Sequence, residues 1–273
     1  MSMARTPIKV GVVGVGTIGQ TIAAELSAGK MGMVLVALTD VQQGMAEKFA
    51  GGLKHRVPVV SLTELIRASD LVVEAAGQAA LPEVVPQVLD QGKDLMVLSV
   101  GGLLGHDDWI RQAEERGCRI YVPSGAIAGL DTIKAARRGS LYTVTLTSRK
   151  PVSALRGVKY VVETGINLDE LKEDTVIFQG RPEEACRAFP TTSNVAASLR
   201  LAAGPSVNVS IRIVACPAGS QNVHEIQAHG EFGRMRAVTE NVPAESNPRT
   251  SQLAAFSALA TLEGITHSLR VGT

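Results

Sequence analysis

Aromatic residues are scarce in this chain: one Trp, three Tyr and five Phe among 273 residues. Cysteine is scarcer still, at three, and the formal charges nearly cancel to a net of +1. No apolar stretch approaches the ~20 residues needed to cross a bilayer. Each shortage excludes something. Cys118, Cys186 and Cys216 are too few and too scattered for a disulfide framework or a zinc site. Their odd number fits a reducing compartment. A balanced charge without a basic stripe argues against nucleic acid or an anionic membrane as partner. The opening MSMARTPIKV carries positive charge but runs into glycines rather than a cleavable apolar core, so the expected location is the cytoplasm.

What is present is aliphatic. The chain is 45% hydrophobic and 19% charged, which suits buried parallel strands covered by Ala-rich helices. From Ile8 to Val122, short β-branched runs alternate with helical patterns. The strand candidates are Ile8–Val13, Met33–Thr39, Leu71–Glu74, Leu95–Ser99 and Arg119–Val122. Helical candidates include Ile18–Ser27, Leu81–Gln91 and Asp107–Arg116. Regular β-α alternation predicts an α/β fold, a doubly wound parallel sheet of the Rossmann type.

The pattern changes after Pro123. SGAIAGLDTIKAARRG reads as a loop and helix, and LYTVTLTSRKP as a strand with one exposed face. SVNVSIRIVACP, NVHEIQAHGEFG and RMRAVTENV read as three adjacent strands with period-two alternation. The expectation is a second, α+β domain over 124–248 with a mostly antiparallel sheet. Residues 1–123 would form the first domain, completed by a returning Ala/Leu helix over 249–273.

The glycines carry the first chemical signal. In VGVVGVGTIG, Gly14, Gly16 and Gly19 follow a strand and open a helix, the context in which G-x-G-x-x-G holds a pyrophosphate. Gly14 permits the tight turn, Gly16 the approach of phosphate, and Gly19 close helix–strand packing. Amides at Thr17 and Ile18 would point at the phosphates, helped by the helix dipole. Asp40 ends the second strand at the spacing where a carboxylate takes the ribose hydroxyls, which favours NAD over NADP. The competing role for Asp40 is a helix N-cap. Ala76, Gly77 and Gln78, after LVVE, sit at the carboxyl edge of the sheet, where ligands of such folds lie, or simply turn the chain. Ser99 to Gly102 would face the nicotinamide end.

A hydride-transfer enzyme also needs a proton donor or acceptor and groups that fix its substrate. Among five histidines, His55 reads as solvated, His106 as a helix start, and His267 as a cation near a helix end. His224 shares a strand face with Ile226 and Ala228, whereas His229 lies with Glu225 and Gln227. A partly desolvated imidazole at 224 would titrate near neutrality, although a packed structural histidine is the commoner case. Two polar helix entrances suit a carboxylate substrate: the Thr-Thr-Ser-Asn cluster ending in Asn194, and Arg249, Thr250 and Ser251 ahead of the terminal helix. Capping by Ser193 or Thr250 satisfies both sequences equally well. None of the cysteines occupies a recognisable nucleophile setting, which argues against thioester chemistry. Nothing in the sequence suggests a metal site.

In order and spacing, VGVVGVGTIG, LSVGGL, PSGAIAGLD, LTSRKP, FPTTSNVAASLRLAAG, NVHEIQAHGEFG and NPRTSQLAAFSAL resemble the L-aspartate dehydrogenases over essentially the whole length. The resemblance implies NAD(P)-dependent oxidative deamination of L-aspartate to iminoaspartate, then oxaloacetate and ammonia, in a reversible reaction feeding NAD biosynthesis. It implies that His224 is catalytic, that Ala128 and Asn194 line the cofactor and substrate pocket, and that the protein is a homodimer using its second sheet. That family includes members using NAD, NADP or both. Competing readings are a reductase of the same architecture, of the dihydrodipicolinate reductase or homoserine dehydrogenase type, and a non-catalytic NAD(H)-binding redox sensor.

Overall fold

The computed structural model describes residues 6–29, 31–190, 193–244 and 247–272, with backbone alone for 243, 244 and 247–250. The chain divides into two compact units, one comprising residues 1–123 and 255–270 and the other 124–254 and 271–273.

Unit 1 runs β1 (Ile8–Val13), α1 (Thr17–Ser27), β2 (Met33–Thr39), α2 (Gln43–Gly51), α3 (Leu62–Ala68), β3 (Leu71–Glu74), α4 (Leu81–Asp90), β4 (Asp94–Val97), α5 (Asp107–Arg116) and β5 (Ile120–Tyr121). Its five strands lie in the order β2-β1-β3-β4-β5, and every pair is parallel. Both faces of such a sheet are covered, so β1 and β3 need apolar residues at successive positions rather than at alternate ones. Val10, Val12, Val72 and Val73 are fully buried. Local signals set the helix ends. Ser61 and Glu64 form a reciprocal capping box that starts α3. Gly117, at φ +67°, ends α5 in the left-handed conformation.

Unit 2 contains α6 (Leu130–Ala136), β6 (Leu141–Pro151), α7 (Val152–Leu155), α8 (Lys159–Glu163), β7 (Thr175–Gly180), α9 (Pro182–Ala188), α10 (Asn194–Ala203), β8 (Asn208–Cys216), β9 (Asn222–Gly230) and β10 (Gly233–Asn241). The short pair β11 (Pro243–Ala244) and β12 (Asn247–Ser251) precedes α11 (Gln252–Thr266). The main sheet has the order β10-β9-β6-β8-β7. Three of its neighbouring pairs are antiparallel, and β6 with β8 is parallel. One face is apolar: Val144 and Leu146 of β6, Ile211 and Ile213 of β8, and Ile226 and Ala228 of β9 are all buried.

Three sequence-based expectations change. Of the strands read as an adjacent trio, β9 and β10 pair as expected, but β8 is separated from β9 because β6 inserts between them and pairs parallel with β8. Period two reveals which side of a strand is buried but not which strand lies next to it. Arg249, Thr250 and Ser251 belong to strand β12, and the helix expected over 249–273 spans Gln252–Thr266. The strands expected at Leu95–Ser99 and Arg119–Val122 shorten to Asp94–Val97 and Ile120–Tyr121, since β5 is an edge with a single partner. Within unit 1, Ala258 and Leu262 of α11 join the core around Val10 and Ile22, and Thr266 Oγ1 donates to the Met31 carbonyl at 2.8 Å.

Candidate active site

In unit 1 the three motif glycines meet different surroundings. Gly14 has φ +93°, and a Cβ there would lie 2.6 Å from the Ala75 and Ala76 backbone. A Cβ on Gly19 would lie 2.0 Å from the Gly14 carbonyl oxygen. Both positions require glycine to build the turn. Gly16 differs: it is exposed, and a Cβ would meet nothing within 4 Å. It also caps α1. Open space beside a helix N-terminus is what a pyrophosphate needs, so the residues present fit a dinucleotide.

Asp40 is held against the same turn. Its Oδ2 accepts the Val15 N–H at 2.7 Å and its Oδ1 the Gln42 N–H at 2.8 Å. The cap of α2 is Gln42, so Asp40 does not cap that helix but closes a turn two residues on. Each carboxylate oxygen keeps a lone pair for a further donor.

The next sheet edge is tied by a residue that the sequence reading passed over. Glu74 ends β3 with no exposed surface. Its Oε1 accepts from the Ala76 and Gly77 amides at 2.8 and 2.9 Å and from Ser99 Oγ at 2.8 Å, and its Oε2 accepts from the Ser99 amide at 3.1 Å. One buried carboxylate thus fixes both edge segments that the sequence singled out. Burial raises its pKa, against the effect of these donors.

In unit 2, parity places His224 on the covered face of β9, where it is 5% exposed. Ser148 of β6 stands opposite in register, and its Oγ lies 2.9 Å from Nδ1 of the imidazole. Thr239 flanks His224 on the other side, on β10. The expected near-neutral titration is corrected. Burial, and secondarily the charge of Lys150, pushes the imidazole down to about 3. The ring is neutral at physiological pH.

The polar groups continue along the sheet end. Asn241, opposite Asn222, donates to the Ala126 carbonyl at 3.1 Å, and Thr239 Oγ1 donates to it at 2.7 Å. These bonds anchor the PSGAIAG loop that carries exposed Ala128. Ser251 donates to Asn241 Oδ1 at 2.7 Å and accepts the Leu253 N–H at 3.1 Å, so it serves both the patch and the start of α11. Asn194 is the first residue of α10, while Ser193 makes no capping bond. The side chains of Arg249 and Thr250 lie outside the described residues.

The missed residue of this patch is Lys150, 4% exposed at the end of β6. Burial lowers its pKa to about 8. The signal was available: in LTSRKP the lysine falls on the same parity as the apolar Val144 and Leu146. The thiols point away from nucleophilic chemistry. Burial pushes Cys186 to about 12 and Cys216 to about 11, and raises Cys118.

Residues 14–123 match the family model described as the NAD binding domain of homoserine dehydrogenase, and residues 131–265 match that of the aspartate dehydrogenase C-terminal region. The chain is 43% identical over 268 residues to the L-aspartate dehydrogenase of Methanocella arvoryzae, covering 97% of this chain and 99% of that one. It is 36% identical over 270 residues to that of Bradyrhizobium diazoefficiens, covering 99% and 96% respectively. The aspartate dehydrogenase structure from Thermotoga maritima shares the fold, with a TM-score of 0.72 at 23% identity, covering 97% of this chain and 99% of that one. A homoserine dehydrogenase signature confined to the nucleotide-binding half is outweighed by relatives that match from end to end: the chain belongs to the L-aspartate dehydrogenase family.

Proposed function

We propose that this chain oxidises L-aspartate with NAD and that His224 is the group that moves the proton. The observation carrying the second part is a buried imidazole with one nitrogen fixed by Ser148 Oγ at 2.9 Å. With Nδ1–H donating to Ser148, Nε2 presents its lone pair to a substrate. A bound nicotinamide would supply the acceptor for the α-hydrogen of aspartate, transferred as hydride. The proton released from the amine, and later from the water that hydrolyses the imine, passes to Nε2. The products are oxaloacetate and ammonia, and the reverse reaction uses the same groups.

Unit 1 supports the nucleotide assignment. Gly14, Gly16 and Gly19 shape the cradle, the amides of Thr17 and Ile18 face the phosphates, and Asp40 accepts the ribose hydroxyls. Asp40 would repel a 2′-phosphate, which favours NAD over NADP. The edge at Ala76 and Gly77 is assigned to the cofactor, Ser99 to Gly102 to its nicotinamide end, and Ala128 and Asn194 to cofactor and substrate. Asn194, Arg249, Thr250 and Ser251 are the assigned substrate contacts.

The other face of the second sheet supports a homodimer. Tyr142, Val238, Gln227 and His229 are exposed there, and Glu225 is enclosed by Arg149, Arg236 and Gln227. The cytoplasmic assignment fits three free thiols. A role in NAD biosynthesis rests on the family resemblance alone. Among the described residues no helix is long and apolar enough to cross a membrane.

His224→Gln tests the assignment. It should lower kcat with L-aspartate by about 10²-fold or more while the Kd for NADH stays unchanged. Undiminished turnover would remove His224 from the mechanism.

A further inference from the structure

The covered face of the second sheet holds a lysine for which no described residue supplies a counter-charge. Lys150 lies on the same face as Leu146 and Ser148, with only 4% of its surface exposed. Among the described residues no carboxylate pairs with it and no acceptor takes a hydrogen bond from Nζ. Buried ammonium groups are ordinarily paired, because losing hydration without a counter-charge is costly. Here the field of the lysine falls on His224 instead.

A second group in the same patch is also unsatisfied. Asn222, two residues before His224 on β9, is buried, and its Oδ1 has no hydrogen-bond partner. The β6–β9 register pairs Ser148 with His224 and Arg149 with Val223, so one further step brings Lys150 opposite Asn222. Among the described residues, the sheet end therefore presents a cation and an acceptor without partners beside an imidazole. Native interiors rarely leave such groups unmatched unless something else matches them.

The missing partner is defined by its chemistry. It carries an anion for Lys150, an N–H donor for the Asn222 oxygen and an exchangeable proton for His224. An α-amino dicarboxylate has all three. We infer that Lys150 binds a carboxylate of the substrate and that Asn222 Oδ1 accepts from its ammonium. This assignment rests on the reading of His224 as the reaction centre. It also explains how so weakly basic an imidazole operates. Burial is the main cause that depresses His224 and stays in place, but an anion beside Lys150 offsets the lesser one, the lysine's charge, so the ring gains some proton affinity when the dicarboxylate is bound.

The test uses Lys150→Met and Lys150→Gln, with succinate as a dicarboxylate that lacks the amine. In both variants the KM for L-aspartate and the Ki for succinate should rise about 10- to 100-fold, as expected for a lost charged hydrogen bond, with the Kd for NADH within twofold of the parent. Asn222→Ser should raise the KM for aspartate but leave the succinate Ki unchanged. A succinate Ki within twofold of the parent in both lysine variants overturns the inference. A measurement without substitution checks it independently: in the parent protein, succinate should protect the Lys150 amine from reductive methylation, read by peptide mass spectrometry, while neutral succinamide should not. Absence of protection overturns it too. If the parent does not turn over aspartate, the proposed function fails separately. The rise in melting temperature that succinate gives the parent then decides the inference: its loss in Lys150→Met supports the carboxylate site, and its retention refutes it.

Discussion

Ser148 and His224 face each other across β6 and β9, with the serine Oγ 2.9 Å from Nδ1 of the imidazole. The contact fixes the ring in one plane and engages only Nδ1. A buried imidazole without it would keep its place in the sheet but lose its aim.

Ser148→Ala should therefore lower kcat about tenfold, the worth of one hydrogen bond, with little change in KM or in NADH binding. Ser148→Thr restores a hydroxyl and should recover part of the loss. Steady-state kinetics on the three proteins would decide; equal kcat values would mean that packing alone orients His224.

The two buried bases should be visible in the pH dependence of stability. His224 is held at about 3 in the folded protein, against an ordinary 6.5, so the unfolded chain takes up its proton first. Stability should be complete above pH 6.5 and fall as the pH drops from there toward 3, and His224→Gln should flatten that limb. Lys150 is lowered from 10.5 to about 8, so stability should rise between pH 8 and 10.5 as the folded protein sheds a buried charge first. Lys150→Met should abolish the rise. Thermal melting of ligand-free protein across this range measures both.

The glycine turn separates folding from binding. Gly14→Ala should destabilise the protein by about 1 kcal/mol or more, because φ is positive and the methyl meets the Ala75–Ala76 backbone. Gly16→Val meets no atom within 4 Å, so the melting temperature should hold while the NADH dissociation constant rises about tenfold or more. A Gly16 variant with unaltered affinity would place the phosphates elsewhere. Fluorescence titration with NADH alongside melting curves provides the two readings.

Much of this was legible in the chain. Strand β1, the glycine turn and α1 follow from a continuous apolar run meeting three glycines, because every local preference there points the same way. The side of β9 that carries His224 followed from parity. The order of strands in the second sheet did not, since β6 joins partners from much later in the sequence and period two is silent about neighbours. The proton affinity of His224 was also hidden, because it depends on a lysine from another strand and on burial by the whole unit. Lys150 and Glu74 were passed over, although the parity of LTSRKP placed Lys150 on the apolar side; the fold buries both. Ser251 was assigned to a helix entrance, where its hydroxyl does accept the Leu253 N–H, but its bond to Asn241 was not foreseen.

The central place of β6 has a consequence for biogenesis. This strand leaves the ribosome with neither lateral neighbour made: β8 begins at Asn208 and β9 at Asn222, well after Pro151. For several seconds at ordinary elongation rates of roughly 5–20 residues per second, a strand with one apolar face and two open sides must wait. Arg149, Lys150 and Pro151 at its end bring two charges and a proline, the residue types that disfavour edge-to-edge pairing with other chains.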